Sequence, residues 1–546
     1  MPRLVLGPLL RYVGETEATL WVETDSPCEV AVLSARAPTF CVRGRHYGLV
    51  YVKGLEPGTR HEYTVELDGE RVWPDPGFAL PPPSIRTPKA GERHRLIFGS
   101  CRTAYPHEAP YDLTKDEHPL GREVDALRAY ALRMSELPED DWPHLVALLG
   151  DQVYADEVSP HVKDFIRSRA DGHPAPPGEV ADFEEYARLY QEAWGEPVIR
   201  WLLSTVSSAM IFDDHDVHDD WNTSAAWVEE IRAEPWWEER IAGAFMSYWL
   251  YQHLGNLSPR EQDEDALLQR ARRVENLGEE LHEFALRADR TTDGARWTYC
   301  RDVGKLRLVV VDSRAGRVLD GPRKMVDDDE WGYVAEHARG GFNHLLLASS
   351  LPFLLPRAMH DVEAWNERVC GGAWGRSTAR LGERVRQGLD LEHWAAFDDS
   401  FERLERLLRA VGAGERGDPP ATITMLGGDV HYAYLAEVGF PRGAGVESAV
   451  YQATCSPFRN PLDSHERLAM RFGSTRAADV VGRALARSAG ARRPSIDWRL
   501  AHGPAFDNQI ATFEWEGRSA ELKIERAVPG ERESPRLEET FTTTLA

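Results

Sequence analysis

Asp151 and Tyr154 offer two oxygen ligands from a single turn of the chain. They lie in the sequence GDQVYAD (150–156), which directly follows the apolar residues 145–149. Such an apolar run is typical of a buried strand, so we expect the carboxylate of Asp151 to emerge where that strand ends. In open α/β sheets, ligands bind at the carboxyl ends of strands. The alternative interpretation is an aspartate in a turn or helix cap with a tyrosine packed beneath it.

Cys101 and Arg102 end another apolar run, in the sequence RLIFGSCR (95–102). A free cysteine is most often a small buried apolar residue, and that interpretation also fits Cys101. The cation of Arg102 beside the thiol would instead favour the thiolate, which is the form that binds metals.

Two more apolar runs end in pairs of an aspartate and a histidine. Asp214 and His215 belong to the sequence DDHD (213–216), for which a solvated acidic turn is the alternative interpretation. Asp429 and His431 are two residues apart, which places both side chains on one face of an extended segment. A structural histidine paired with a neighbouring strand would account equally well for His431.

These ligand types converge on one predicted edge, although more than 300 residues separate the first from the last. The set is Cys101, Asp151, Tyr154, Asp214, His215, Asp429 and His431. Phenolate and thiolate suit a ferric ion, and carboxylates suit a divalent ion such as Ca²⁺, Mg²⁺ or Mn²⁺. Two metals that share one carboxylate, about 3.5–4 Å apart, form the usual clamp for in-line displacement at phosphorus. The pattern therefore favours a two-metal site for phosphoester chemistry.

The rest of the sequence predicts an α/β protein with distinct parts. Residues 1–75 contain short runs rich in β-branched and aromatic residues, which predict a small N-terminal β-sandwich. A proline-rich linker over 76–92 leads into a domain over 93–527, where apolar runs alternate with helical segments. Within that domain, 157–295 predicts a helical insertion. The polar residues 528–546 are expected to form a loose tail.

The helices are predicted from apolar residues at spacings of three and four. The predicted helical stretches are 123–137, 180–203, 238–253, 259–287 and 392–411.

Composition excludes several classes of protein. The net charge of −25 weighs against a nucleic-acid binder or a binder of anionic membranes. Six cysteines without a C-x-x-C pair do not indicate a disulfide framework or a zinc knuckle. No apolar stretch approaches the ~20 residues that span a bilayer, and the first residues show no signal peptide, so we expect a cytoplasmic protein without a membrane anchor.

Five motifs together resemble the PhoD-like alkaline phosphatase family of the calcineurin-like metallophosphoesterase superfamily. They are FGSCR (98–102), GDQVYAD (150–156), DDHD with DDW (213–216 and 219–221), VDSR (311–314) and GGDVHYA (427–433). The resemblance spans residues 95 to 525. It implies a four-layer α/β/β/α metallophosphoesterase core preceded by a small β-sandwich.

The resemblance also implies the roles of individual residues. It implies an Fe³⁺ ion and one or more divalent ions, with Ca²⁺ favoured and Mg²⁺ or Mn²⁺ as alternatives. Cys101, Asp151, Tyr154 and His431 resemble the iron ligands. Asp214 and Asp429 resemble ligands of the divalent site, with Asp151 as the bridge between the metals. His215 resembles the histidine that stabilises the transition state or protonates the leaving group.

The implied activity is the hydrolysis of small phosphate esters by a hydroxide that bridges the metals and attacks phosphorus in line. Arg102 and Arg314 are the candidates for binding the phosphate. A phosphodiesterase, or a phospholipase-D-like hydrolase of small diesters, is the nearest alternative, and sulfate esters are also conceivable. An alternative from another class is a non-catalytic protein that binds metal or phosphate. The sequence does not predict the oligomeric state.

Overall fold

A β-sandwich of two four-stranded sheets forms the start of the chain. The computed structural model describes residues 1–89, 91–169, 175–292, 294–530 and 534–546. The strands of this first region are β1 Leu4–Val13, β2 Glu17–Thr24, β3 Glu29–Val32, β4 Ala35–Pro38, β5 Phe40–Val42, β6 Arg45–Lys53, β7 Arg60–Glu62, β8 Val65–Leu67, β9 Glu70–Trp73 and β10 Ser84–Arg86. The sheets have the orders β1-β2-β6-β5 and β4-β3-β8-β9. Leu20 and Val22 of β2 meet Val30 and Val32 of β3 in the sandwich core, because side chains alternate along a strand.

The proline-rich segment after the sandwich is not a free spacer. Its strand β10 pairs antiparallel with β7. The sandwich is also fixed to later parts of the chain, because the buried guanidinium of Arg11 donates to the carbonyl oxygens of Tyr251 and Gln252 at 2.6 and 2.7 Å.

Two mixed sheets form the centre of the structure. Their strands are β11 His94–Gly99, β12 Leu145–Leu149, β13 Ser207–Ile211, β14 Tyr299–Val303, β15 Leu306–Val311, β16 His344–Ser349, β17 Thr422–Gly427, β18 Ala433–Gly439, β19 Ala449–Thr454, β20 Asp497–Ala505, β21 Gln509–Glu516, β22 Ser519–Val528 and β23 Arg536–Thr544. One sheet has the order β13-β12-β11-β21-β22-β23, and the other has the order β14-β15-β16-β17-β19-β18-β20. The four apolar runs that precede the candidate ligands form β11, β12, β13 and β17 of these sheets.

The alternation of side chains along β15 shows how the layers are built. Leu306, Leu308 and Val310 face the six-stranded sheet and join the core between the two sheets. Val309 and Val311 point the other way and pack with helices on the outer face. Helices also cover the far side of the six-stranded sheet. The layers are therefore α/β/β/α, as the family resemblance implies.

Helices cover both sheets and fill the insertion. They are α1 Ala126–Glu136, α2 Pro160–Arg169, α3 Phe183–Gly195, α4 Pro197–Thr205, α5 Ala225–Ile231, α6 Trp237–Ser247, α7 Leu254–Asn256, α8 Pro259–Glu264, α9 Ala266–Ala271, α10 Gly278–Arg290, α11 Asp328–His337, α12 Arg357–Cys370, α13 Arg376–Gly388, α14 Asp398–Gly412, α15 Ser464–Gly473 and α16 Arg476–Ser488. A π-helical turn, Tyr248–His253, joins α6 to α7. Among the described helices, none combines the length and the apolar character needed to cross a bilayer.

Two predicted helical stretches are divided in the structure. The stretch 180–203 contains α3 and most of α4, which meet where the carboxylate of Glu196 caps the amide of Ile199 and Pro197 starts the second helix. Proline fits the first turn of a helix because the missing N–H has no partner there. The stretch 259–287 contains α8, α9 and most of α10 for a similar reason, since Asp265 caps α9.

The prediction of a loose C-terminal tail is wrong for residues 536–546. The strand β23 pairs antiparallel with β22 at the edge of the six-stranded sheet. Phe541 and Leu545 are buried in the central core, while most other side chains of β23 face solvent. The sequence of this segment is mostly polar because an edge strand buries only a few of its side chains.

Candidate metal centre

Strand ends from both central sheets bring predicted ligands together. The strands β11, β12 and β13 are parallel neighbours, and Cys101, Asp151 and Asp214 follow their carboxyl ends. Asp429 follows β17 of the other sheet, and its amide donates to Oγ of Ser100 at 3.0 Å. The facing sheets therefore supply ligands to one shared edge.

Four of these residues have a left-handed backbone. The φ angles are 55° at Cys101, 48° at Asp151, 63° at Asp429 and 56° at His431. Each such conformation costs a non-glycine residue on the order of 1–3 kcal/mol, and such residues concentrate at functional sites. The strained turns are held by hydrogen bonds between strand ends, such as the one from the Cys101 amide to the carbonyl of Gly150 at 3.3 Å.

Glycines allow the turns to approach one another. A Cβ at Gly428 would lie 2.3 Å from Oγ of Ser100 and 2.8 Å from the carbonyl oxygen of Leu149. Gly150 has a φ of 105°, and a Cβ there would lie 2.7 Å from Cβ of Asp213. The close backbone approach is therefore possible only without side chains at these positions.

A first donor group contains three different ligand types. Sγ of Cys101, a carboxylate oxygen of Asp151 and a ring nitrogen of His431 lie within 4.8 Å of one another. The phenol of Tyr154 extends the group, because its hydroxyl lies 3.3 Å from Oδ2 of Asp151. Tyr154 is itself held by Asn460, whose Nδ2 donates to the phenol oxygen at 3.3 Å.

A second donor group consists of carboxylates and shares Asp151 with the first. Oxygens of Asp151, Asp213 and Asp214 lie within 4.8 Å of one another, and all three residues are buried. Oδ1 of Asp151 and Oδ2 of Asp213 have no hydrogen-bond partner among the described residues, and Oδ1 of Asp214 has only the Arg314 guanidinium nearby, at 3.3 Å. Burial, together with the neighbouring carboxylates, raises the pKa of Asp151 and Asp213. Such unsatisfied oxygens fit a bound cation, which would supply the missing positive charge.

The protonation of the first group also fits a cation. Burial lowers the pKa of His431 to about 3, which keeps the imidazole neutral and able to act as a ligand. Burial and the charge of Asp151 raise the pKa of the Cys101 thiol well above its ordinary value. The expected stabilisation of the thiolate by Arg102 is therefore not observed, and a bound metal would have to provide it.

His215 lies beside both donor groups. Its Nδ1 atom is 2.9 Å from Oδ1 of Asp156, and its ring packs against the ring of Tyr154 with centroids 4.7 Å apart. Burial lowers the pKa of His215, but the charge and hydrogen bond of Asp156 outweigh it and raise that pKa well above its ordinary value. Nε2 lies 3.7 Å from Oδ1 of Asp219, on the side of the ring away from Asp156.

Asp429 is paired with a histidine. Its Oδ2 atom lies 3.1 Å from Nε2 of His393. Nδ1 of His393 in turn lies 2.7 Å from Oε1 of Glu363 on α12. This chain of contacts orients the Asp429 carboxylate, and orienting partners of this kind are typical of metal sites.

Comparisons with known proteins agree with the architecture and with the motifs. Residues 127–293 match the family model described as PhoD-like phosphatase. The resemblance drawn from the sequence motifs is thereby confirmed. Residues 1–85 match a domain of unknown function, DUF7800, and no curated protein matches the chain.

Solved structures extend the similarity over the whole length. The structure of PhoD has a TM-score of 0.59 at 12% sequence identity, and the match covers 99% of this chain and 90% of that chain. A purple acid phosphatase from seeds of yellow lupin (Lupinus luteus) has a TM-score of 0.47 at 11% identity, covering 100% of this chain and 74% of that chain. The likeness to PhoD shows the fold, whereas the metal-ligand side chains are those of this chain itself.

The two arginines predicted to bind phosphate have other partners in the structure. Nε of Arg102 donates to Asp125 at 2.8 Å, and its Nη1 donates to the carbonyl of Ala193 at 2.8 Å. Arg314 is fully buried and forms ion pairs with Asp213 and Glu392. These contacts direct both guanidinium groups into the protein, so neither prediction as a phosphate ligand is supported.

Arg314 instead lies behind the carboxylates of the candidate metal centre. Its Nη2 atom is 3.3 Å from Oδ1 of Asp214 and 3.8 Å from Oδ1 of Asp429. Glu392 links it to a second buried arginine, Arg317, at 2.9 Å. The guanidinium therefore offsets part of the negative charge that gathers at the strand ends.

Several residues of this site escape prediction from the sequence. They are Asp156, Asp213 as a donor, Glu363, Glu392, His393 and Asn460. Asp156 and Asp213 lie inside the motifs GDQVYAD and DDHD. Their closeness in sequence to predicted ligands could therefore have indicated a place in the site. The other four come from helices and loops whose local pattern indicates nothing about the metal centre.

Proposed function

We propose that the protein is a metal-dependent phosphoesterase that hydrolyses small phosphate esters at the centre around Asp151. The observation that carries this proposal is that the Asp151 carboxylate belongs to both donor groups. A carboxylate shared by two cation sites is the central element of a two-metal phosphoesterase. The match of residues 127–293 to the PhoD-like phosphatase family model supports the same reaction class.

The chemistry of the donors suggests which ions would bind. Cys101, Tyr154 and His431 join Asp151 in a set that suits Fe³⁺. The carboxylates of Asp213 and Asp214 suit a divalent ion with oxygen ligands, with Ca²⁺ favoured over Mg²⁺ or Mn²⁺. When bound, such ions lower the pKa of a water molecule and neutralise charge on the phosphoryl group.

Asp429 would complete the divalent site in this proposal. His393 and Arg314 hold it from two sides, which fixes the direction of its carboxylate. Arg314 acts as a positioning residue, because it contacts the carboxylates and not the space in front of them.

His215 would hold the proton that the reaction needs. Asp156 fixes its Nδ1 and favours the imidazolium, so that Nε2 carries a proton on the side facing away from Asp156. A proton at Nε2 could pass to the oxygen of the departing alcohol, or could stabilise the transferring group by a hydrogen bond.

The test combines elemental analysis of the purified protein with paired monoester and diester substrates. Asp151→Asn should lower kcat/KM at least about 100-fold and should reduce the metal content. The matched control is Asp164→Asn, an exposed aspartate on α2, which should leave both unchanged. Full activity in folded Asp151→Asn would contradict the mechanism. Protein without iron would contradict the Cys101 and Tyr154 assignment, even if activity remained.

A further inference from the structure

Three helices beside the metal centre expose large apolar side chains. Apart from Met1, the most exposed large hydrophobic residues of the described chain are between 59% and 68% accessible and lie on or directly after α13, α15 and α16. They are Leu381, Leu389, Leu468, Phe472, Val480 and Val481. Leu468 and Phe472 lie one turn apart on the same face of α15, and exposed apolar residues that lie together mark interaction surfaces. We call this set the apolar helix surface.

The outward direction of these side chains follows from the packing of the helices. On α16, the small residues Ala478, Gly482 and Ala486 recur every four positions and are buried. A Cβ at Gly482 would lie 3.0 Å from the carbonyl oxygen of Ala358, so α16 lies directly against α12. Because the small residues face inward, the valines at 480 and 481 must face solvent.

The helices that carry the apolar helix surface are rich in arginine. Residues 464–493 contain seven arginines and two acidic residues, and residues 376–389 contain four arginines and one acidic residue, in a chain whose net charge is −25. Several of these arginines are exposed, and no ion pair is formed by them with described carboxylates. They are Arg376, Arg380, Arg384, Arg476, Arg483, Arg487 and Arg493. The overall charge therefore conceals a local basic region.

The surface is close to the candidate metal centre. Sδ of Met359 on α12 accepts a hydrogen bond from the hydroxyl of Tyr432 at 3.4 Å, and Tyr432 follows His431 in the chain. At the end of α15, a Cβ on Gly473 would lie 2.8 Å from Cε of the same methionine. One side chain thus separates α15 from the segment that carries a predicted metal ligand.

We propose that the apolar helix surface docks the protein on a phospholipid bilayer that contains anionic lipids. Aliphatic and aromatic side chains enter the boundary between head groups and acyl chains, while nearby arginines attract anionic head groups. A nucleic acid would use the arginines but would leave six exposed apolar side chains in water. The combination of exposed apolar side chains and nearby arginines favours a lipid surface.

The experiment measures co-sedimentation of the full-length protein with vesicles of phosphatidylcholine alone and of phosphatidylcholine mixed one-to-one with phosphatidylglycerol. The protein should bind the mixed vesicles and not the neutral ones. The double variant Leu468→Ser with Phe472→Ser should bind at least about tenfold more weakly. The double variant Arg380→Gln with Arg384→Gln should bind about 30-fold more weakly.

Matched controls lie elsewhere on the surface. Leu137→Ser follows α1, and Arg339→Gln follows α11; both residues are exposed, and neither belongs to the apolar helix surface. Both should bind like the unchanged protein. Vesicle binding does not require catalysis, so a failure of the phosphoesterase proposal would leave this measurement valid.

Three outcomes would overturn the proposal. One is the absence of binding to the mixed vesicles, and another is equal binding by the surface variants and the unchanged protein. The third is a concentration-dependent dimer that the Leu468→Ser and Phe472→Ser changes abolish, without vesicle binding, since a second copy would then cover the surface.

Discussion

Nε2 of His393 lies 3.1 Å from Oδ2 of Asp429, and Glu363 holds the opposite nitrogen of the same ring at 2.7 Å. The three residues come from α12, from the loop before α14 and from the end of β17. The histidine can therefore face Asp429 with only one ring nitrogen, because the other is engaged by a buried carboxylate. The arrangement links the orientation of a proposed metal ligand to a helix outside the central sheets.

Weakening this link should weaken metal binding. Glu363→Gln keeps the size of the side chain but removes the negative charge that orients His393. We expect about a 10–100-fold loss of affinity for the divalent ion, with activity partly restored by excess metal. Titration of metal-depleted protein measures it, with the exposed Glu402→Gln on α14 as the control. Unchanged affinity in the Glu363 variant would assign that residue a purely structural role.

Removing the buried guanidinium of Arg314 should destabilise the protein strongly. In metal-free protein, Arg314→Met leaves Asp213 and Glu392 without their shared partner, and we expect the free energy of unfolding to fall by about 3–5 kcal/mol. Urea denaturation measures the change. Arg3→Met breaks an exposed pair with Asp25 and should cost less than about 1 kcal/mol. Similar losses for the two variants would contradict the role given to burial.

Gly428→Ala tests the close approach of the two sheets. The added methyl group would meet Oγ of Ser100 and the carbonyl of Leu149, and overpacking of this kind costs about 1–3 kcal/mol. It should also lower metal content, because the neighbouring Asp429 must move. Gly332 on α11 has open space around it, so Gly332→Ala should stabilise the protein by about 0.5–1 kcal/mol. Thermal unfolding and elemental analysis distinguish the two; a Gly428→Ala protein with normal metal content would contradict the argument.

Glu330 should make stability depend on pH. The side chain of Glu330 is buried and accepts a hydrogen bond from the amide of Trp297 at 2.7 Å. Burial is the main cause, and the charge of Asp312 the second cause, that raises the pKa of Glu330 to about 8. The folded protein then keeps a proton that the unfolded chain releases above about pH 4.5. The stability contributed by this proton is fully present below that pH and is lost as the pH rises through 8.

The corresponding variant is Glu330→Gln, which cannot lose a proton. Its free energy of unfolding should rise relative to that of the unchanged protein between about pH 5 and about pH 9. Glu336→Gln is exposed on the same helix and should show no such trend. Urea unfolding at the two pH values makes the comparison, and parallel pH profiles for Glu330→Gln and the unchanged protein would refute the shifted pKa.

The sequence allows prediction of those ligands that directly follow apolar strands. Cys101, Asp151 and Asp214 follow buried runs, and the parallel order of β11, β12 and β13 places their ends side by side. The presence of the helices can also be predicted from the sequence. The ends of individual helices at Pro197 and Asp265 are found only if helix-capping residues are considered.

Other features depend on contacts between distant segments. The role of His393 cannot be predicted from the sequence, because the histidine reaches Asp429 only when its loop packs beside the end of β17. No local sequence pattern distinguishes it from a surface histidine. The sequence predicts Arg314 as a phosphate ligand from its charge alone, whereas the carboxylates that surround it are set by tertiary structure. The strand β23 has too few apolar residues to be recognised without its partner.

The contact between the β-sandwich and the insertion has a genetic consequence. The hydroxyls of Ser207 and Ser208 on β13 donate to the carbonyls of Arg11 and Leu10 on β1 at 2.9 and 3.2 Å. The strand that leads to Asp214 is therefore braced by the first residues of the chain. Alleles with lesions near codons 10 and 11 should behave like active-site alleles, and a screen for loss of function should recover both in the same phenotypic class.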